Sequence, residues 1–258
     1  MSVNVMPRAG IGGAALRQLT RTEFILFFRE RARPAFAIGF PIVLMVIFGA
    51  IPAFQRPQQS FGGLSALDIY VPVLIAMSVA ILALITLPTV LAGYREKGVL
   101  RRMRTTPAGP ERVLGAQLFV HLAVAVVTTI VVLAIAAIAY HVVLPRQFGG
   151  FLLGVVLETL AMLAIGLLVA AIAPTARVAQ IIGLILFYPM IFFAGLWIPL
   201  PSMPPVLRDI SLASPLGAAV RAAQDATQGV WPHPLQLVTM ALYALVFGVA
   251  AAKLFRWE

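Results

Sequence analysis

Residues 69–107 read IYVPVLIAMSVAILALITLPTVLA, then one glycine, then YREKGVLRRMRTTP. Residues 69–92 carry no charge, and a membrane-spanning helix needs roughly 20 mostly apolar residues. Residues 94–107 hold five basic residues, Arg95, Lys97, Arg101, Arg102 and Arg104, and one acid, Glu96. A charged island of this kind, bounded by long apolar runs, reads as a loop anchored in membrane at both ends. Such a loop is well placed to take force or a signal from a soluble partner.

Outward from this stretch, five more runs qualify as spans: about 35–54, 113–144, 148–173, 178–200 and 233–255. The run at 113–144 is over-long, so its first turns, Leu114 to Phe119, are expected to tilt or project into the cytosol. The chain is 61% hydrophobic and 11% charged, where a soluble domain carries about a quarter charged residues. It is read as an all-α membrane protein with six transmembrane helices. Cysteine is absent, which excludes disulfides, thiol catalysis and cysteine-ligated metals.

The formal charge of +10 does not point to nucleic acid, because the basic residues sit at the ends of spans, facing anionic lipid and the cytosol. With six spans, fifteen of the nineteen Lys and Arg residues fall on the side of the termini. Arg56, Arg146, Arg208 and Arg221 fall on the other. Positive residues stay inside, so both termini are expected to be cytoplasmic.

Residues 1–33 are read as a cytoplasmic segment and not a cleavable signal, since they precede a full-length span. Within them, 14–33 read as a helix at the interface, with Phe24 to Phe28 inserted and the arginines at headgroup level. Glu23 and Glu30 share its apolar face with Leu19 and Leu26, so the face is not clean, and a plain basic tail fits nearly as well. Residues 34–258 form the six-span domain, with the charged loop at 93–112. Between the fifth and sixth spans, residues 201–232 contain Pro201, Pro204, Pro205, Pro215 and Pro232. Broken, half-apolar backbone is tolerated at a membrane face when it is buried or lines a cavity.

In the loop, Gly98 breaks the helix and Val99 to Met103 can form a short one, with Thr106-Pro107 stopping the turn. A loop that only orients the protein would need basic residues but no particular order of the others. Glu158 is the one acid inside a span, by default a functional position. It could contact a polar substrate group, relay protons, or pair with His121 or His141; it could equally lie hydrogen-bonded in the bundle. Phe187, Tyr188, Phe192, Phe193 and Trp197 surround Pro189, and Phe36, Phe40 and Phe48 line the first span. They read as core, as lipid-facing surface or as an apolar path. No cluster supports a metal site or an enzyme.

The order Glu96-Lys97-Gly98-Val99-Leu100-Arg101-Arg102, then Thr106-Pro107, resembles the signature loop of ABC-2 type transporter permeases. Gly195-Leu196-Trp197-Ile198-Pro199, followed by Ser214-Pro215-Leu216 and Arg221, is similar to that family's glycine-x-x-x-proline and asparagine-proline-leucine segments. Serine stands here where asparagine is usual. The resemblance covers essentially the whole chain. It implies that the loop, from Arg95 to Pro107, is a coupling helix on a separate ABC ATPase, present in two copies. It also implies a second permease, identical or related, met through the first and fifth helices, and two short re-entrant helices within 201–232.

No Gly-x-x-x-x-Gly-Lys-[Ser/Thr] phosphate loop occurs, so this chain holds no cofactor of its own, and ATP and magnesium are expected on the ATPase. The expected function is a non-catalytic subunit of an exporter in a bacterial inner membrane. Its cargo would be amphipathic or hydrophobic, with drugs or antibiotics first, as in the daunorubicin-type branch, and lipid or glycan second. The alternative is an ion-coupled transporter with Glu158 as its proton site.

Overall fold

The computed structural model describes residues 11–103 and 109–255. The chain is 83% helical, with no strand among the described residues. Helix α1 (Ile11–Arg29) precedes α2 (Ala32–Gly49), α3 (Ala66–Glu96), the short α4 (Val99–Met103) and α5 (Pro110–Tyr140). Then come α6 (Phe148–Ile172), α7 (Ala176–Phe193), the short α8 (Pro205–Ala213) and α9 (Pro215–Thr227), and α10 (Pro234–Leu254). Helices α2, α3, α5, α6, α7 and α10 are long and apolar enough to cross a membrane. The six expected spans are therefore present.

Their ends differ from the apolar runs for local reasons. The first span stops at Gly49 and not 54, because Ile51 is extended ahead of Pro52, as the residue before a proline prefers. The third starts at Pro110 and ends at Tyr140, where His141 turns into the left-handed region at φ 53°. At about 1.5 Å per residue this 31-residue helix is roughly 46 Å long, well beyond a hydrocarbon core of about 30 Å. The fifth stops at Phe193 and not 200. Gly195, at φ 97°, donates to the Phe192 carbonyl (3.0 Å), and Leu196 donates to Ile191 (3.3 Å). That pair of bonds is a Schellman ending.

Helix α3 forms the centre. Almost all of it is buried, whereas α2, α7 and α10 are mostly exposed on their outer faces, as lipid-facing helices should be. Its start is fixed by a capping box in which Asp68 accepts from the Ser65 amide (2.8 Å) and Ser65 Oγ from the Asp68 amide (3.1 Å). The other Asp68 oxygen accepts from the Val143 amide (2.9 Å), tying this end to the α5–α6 connection.

Two spans contain a π turn, Ala35–Gly39 in α2 and Ile81–Thr86 in α3. In each, the last wide-register bond, Phe40 to Ala35 and Leu87 to Leu82, comes immediately before a proline, Pro41 or Pro88. Proline has no N–H to return to the fourth residue before it, so the register loosens there. Gly166 of α6 and Gly183 of α7 sit directly on the carbonyls of Ala83 and Leu84 in the α3 turn. A side chain at either glycine would collide with that backbone.

The proline-rich segment forms α8 and α9. Ser214 caps α9, accepting from the Gly217 amide (3.1 Å), with Pro215 in the first turn. Serine and asparagine serve equally as N-caps, so an asparagine at this place could cap α9 in the same way. Helix α9 packs Ala218, Ala219 and Ala222 against Ala161 of α6, the fourteenth of that helix's 25 residues. The chain turns back at Ser214, so α9 runs from beside the middle of α6 to the start of that helix, where Gln147 donates to the Ala226 carbonyl (2.9 Å). Arg221 pairs with Asp225 (3.3 Å), which also accepts from Gln236 of α10 (2.7 Å).

Candidate functional site

At the basic end of the bundle, α3 runs into the charged loop. Gly98 takes φ 66° and donates to the Arg95 carbonyl (2.9 Å), ending α3 and letting α4 begin at Val99. The two residues before Lys97 reach back to the bundle. Arg95 donates to the carbonyls of Ala171 (3.2 Å) and Ala173 at the end of α6. Glu96 accepts from the amide of Ala176 (3.1 Å), the first residue of α7. A cation on helix-end carbonyls and an anion on a helix-start amide are the favourable pairings at each terminus. Two adjacent side chains thus clamp the α6–α7 turn from both ends.

Leu100 is the buried anchor of α4, 1% exposed. Lys97, Arg101 and Arg102 are exposed, and Arg102 also reaches the Lys97 carbonyl (3.3 Å). Of the nine residues expected to couple, Arg95, Glu96 and Leu100 hold the loop to its own bundle, while Lys97, Arg101 and Arg102 face outward. Thr106 and Pro107 lie outside the described residues.

One acid that the sequence reading named without giving it a partner completes this end. Glu23 of α1 is 8% exposed, and its Oε2 accepts from the Tyr94 hydroxyl (2.7 Å) and the Gln117 amide (2.5 Å). It ties α1 to the last turn of α3 and to α5. Burial pushes its carboxyl above the usual range; the Tyr94 hydrogen bond and the Arg33 charge offset this in part. The signal was there in the sequence. An acid on the apolar face of an interfacial helix needs a partner, and the nearest aromatic hydroxyl in the loop region belongs to Tyr94.

Between α2, α3 and α7 lies a groove of about 580 Å³. Phe36 and Phe40 of α2 face Phe187 and Tyr188 of α7, and the π turn of α3 supplies Ile81, Ile85 and Thr86 as its floor. At its basic end stand Thr89, Gln180 and the Glu30–Arg33 ion pair (2.7 Å). The groove is apolar along its length and polar at one mouth, the shape an amphipathic molecule fills.

Of the expected path residues, Phe187 and Tyr188 line this groove and stack edge to face at 5.6 Å. Phe192 and Trp197 do not. They pair with each other at 6.2 Å beside the Gly195 turn, where Pro199 leads into the Leu200–Ser202 turn. Glu158 is also absent from the groove. It is 3% exposed inside α6, and its Oε1 has no hydrogen-bond partner among the described residues.

Neither histidine reaches Glu158. His121 Nδ1 meets the Gln117 carbonyl (2.8 Å) and its ring lies against Phe27, while His141 is exposed at the end of α5. Glu158 lies too deep in the bundle for His141 at a helix end, and His121 is held by its own helix. Among the described residues no cluster could hold a metal ion. At the other end Leu216 is fully buried behind the Ser214 cap, and Arg221 belongs to the Asp225 pair.

No curated protein matches the chain closely enough to count as a relative. The sequence model of one family, described as "ABC-2 type transporter", matches residues 14–227. The match runs from α1 through the whole of α9 and so takes in the clamp, the groove and the Gly195–Pro199 and Ser214–Leu216 segments. The chain belongs to the ABC-2 type transporter family.

Proposed function

We propose that this chain, as the multi-pass membrane permease subunit of an ABC transporter, exports an amphipathic or hydrophobic molecule, powered by two copies of a separate ATPase docked on the charged loop. The permease works as a dimer, with itself or a relative, across the face formed by α2 and α7. Both termini face the cytoplasm of a bacterium, and the membrane is the inner one. ATP and magnesium are held by the ATPase, and this chain supplies no catalytic group.

The observation that carries this reading is the division of labour in the loop. Arg95 and Glu96 grip the α6–α7 turn while Lys97, Arg101 and Arg102 stand outward. A push on the outer residues would therefore reach α3, α6 and α7 together, and two of those helices wall the aromatic groove. Drugs or antibiotics fit the groove first, with lipid or glycan second. The ion-coupled alternative rests on Glu158 alone, whose carboxyl lies outside the groove.

The test uses the permease co-expressed with its ATPase. Lys97→Glu with Arg101→Glu is expected to abolish co-purification of the ATPase and ATP-driven uptake of daunorubicin into inverted vesicles. Intact co-purification would refute docking on this loop. Uptake that survives ATP depletion but fails with an uncoupler would restore the ion-coupled reading.

A further inference from the structure

A second groove of about 580 Å³ lies away from the aromatic one, between α1 and the first turns of α5. On α1 it is lined by Arg17, Thr20, Arg21 and Phe24, and on α5 by Phe119 and Ala123. These α1 positions recur every three to four residues, so they form one stripe, as do the α5 positions four apart. Gly115 leaves the floor open, with Leu16 the nearest side chain to it.

The two arginines stand at one edge and make no ion pair among the described residues. The acids of α1 and its connection are engaged elsewhere, Glu23 with Tyr94 and Gln117, Glu30 with Arg33. The rest of the lining is almost wholly apolar, and Phe24 and Phe119 are both exposed. Thr20 spends its hydroxyl proton on the Leu16 carbonyl (2.9 Å).

We propose that this groove binds one anionic phospholipid, its phosphate on Arg17 and Arg21 and an acyl chain along Phe24, Phe119 and Ala123. The charge selects an anion, since no acid balances the arginine edge. The apolar wall selects a lipid over a free phosphate, which would leave that wall against water. Basic grooves between helices at a membrane surface are suited to such headgroups.

The chain has no cysteine, so a single Val127→Cys, one turn beyond Ala123 and 50% exposed, can carry a bimane label at the far end of the groove. The full-length protein is placed in phosphatidylcholine vesicles doped with phosphatidylglycerol or phosphatidylcholine brominated on the acyl chains. Two arginines should favour phosphatidylglycerol in binding, read as quenching at limiting lipid, by roughly thirtyfold. Arg17→Ala with Arg21→Ala should bring the ratio near one, and Arg17→Lys with Arg21→Lys should keep most of it.

Quenching by brominated phosphatidylcholine checks that each variant is inserted. Should the alanine pair fail to insert, Gly115→Leu, which fills the floor and leaves both arginines, should erase the preference. Equal quenching by the two lipids in the parent would overturn the proposal. So would a preference that survives the alanine pair or Gly115→Leu, or one erased by inorganic phosphate, which would mark a soluble-anion site.

Discussion

Glu23 offers the sharpest test of how the basic end is held together. Its carboxylate takes two donors, the Tyr94 hydroxyl at 2.7 Å and the Gln117 amide at 2.5 Å, in an almost buried position. Glu23→Ala leaves both donors without an acceptor. A buried donor left unpaired costs about 1–3 kcal/mol. Tyr94 is only partly buried and water can reach it, so the sum should fall near 2–4 kcal/mol.

The effect should be local, opening α1 from α3 and α5. Hydrogen exchange of the α1 amides in the purified protein reads that opening directly. It should accelerate roughly 30- to 1000-fold, at about 1.4 kcal/mol per factor of ten. Glu23→Gln keeps an acceptor oxygen and should stay within about 1 kcal/mol of the parent.

The pH dependence has a definite sign. Burial raises the Glu23 carboxyl above its ordinary 4.5, so the fold favours the protonated form. The contribution is complete below the ordinary glutamate value and is lost as pH rises through the raised one. In Glu23→Gln that dependence should disappear. Alanine and parent exchanging alike, or glutamine loosening α1 as much as alanine, would refute this account of how α1 is held.

Gly98→Ala meets no neighbour but must hold φ 66°, so it should cost about 1–2 kcal/mol, seen as a lower unfolding temperature, with Gly98→Asn milder. Gly166→Val and Gly183→Val collide with the α3 backbone and should lose most monodisperse protein in detergent; Gly39→Ala, in open space, should not. A single Gln58→Cys should react with a membrane-impermeant maleimide on intact cells while Lys253→Cys should not, and the reverse pattern would invert the proposed orientation. Phe187→Ala with Tyr188→Ala should lower daunorubicin uptake while leaving ATPase co-purification unchanged.

Much of this architecture is legible in the residue order, because spans are long and their apolarity is not shared with loops. The break at Gly98 and the short helix after it follow from turn chemistry. Span ends were harder. Ile51-Pro52 and Gly195 both sit inside apolar runs, and hydropathy cannot feel a pre-proline constraint or a left-handed glycine. The clamp was out of reach, since Arg95 and Ala173 lie 78 positions apart and a carbonyl acceptor has no sequence signature. The loop residues could be named, but which of them face inward is decided by where the α6–α7 turn arrives. Glu158 was readable as unusual, and its isolation from both histidines only became visible in three dimensions.

Between Ile69 and Ala92 helix α3 carries no charge and is almost wholly enclosed by protein. It is made after α2 but before α5, α6, α7 and α9, which complete its enclosure, so on entering the bilayer most of its surface must first be solvated by lipid. Its apolarity therefore serves two successive solvents, hydrocarbon during insertion and packed side chains afterwards. Helices associate only after each is stable across the bilayer, and Gly166 and Gly183 arrive two and three spans after α3, closing over its turn. Biogenesis should thus be most fragile in the interval before α6 and α7 are complete, when the loosened backbone at Ala83 and Leu84 has no glycine face against it.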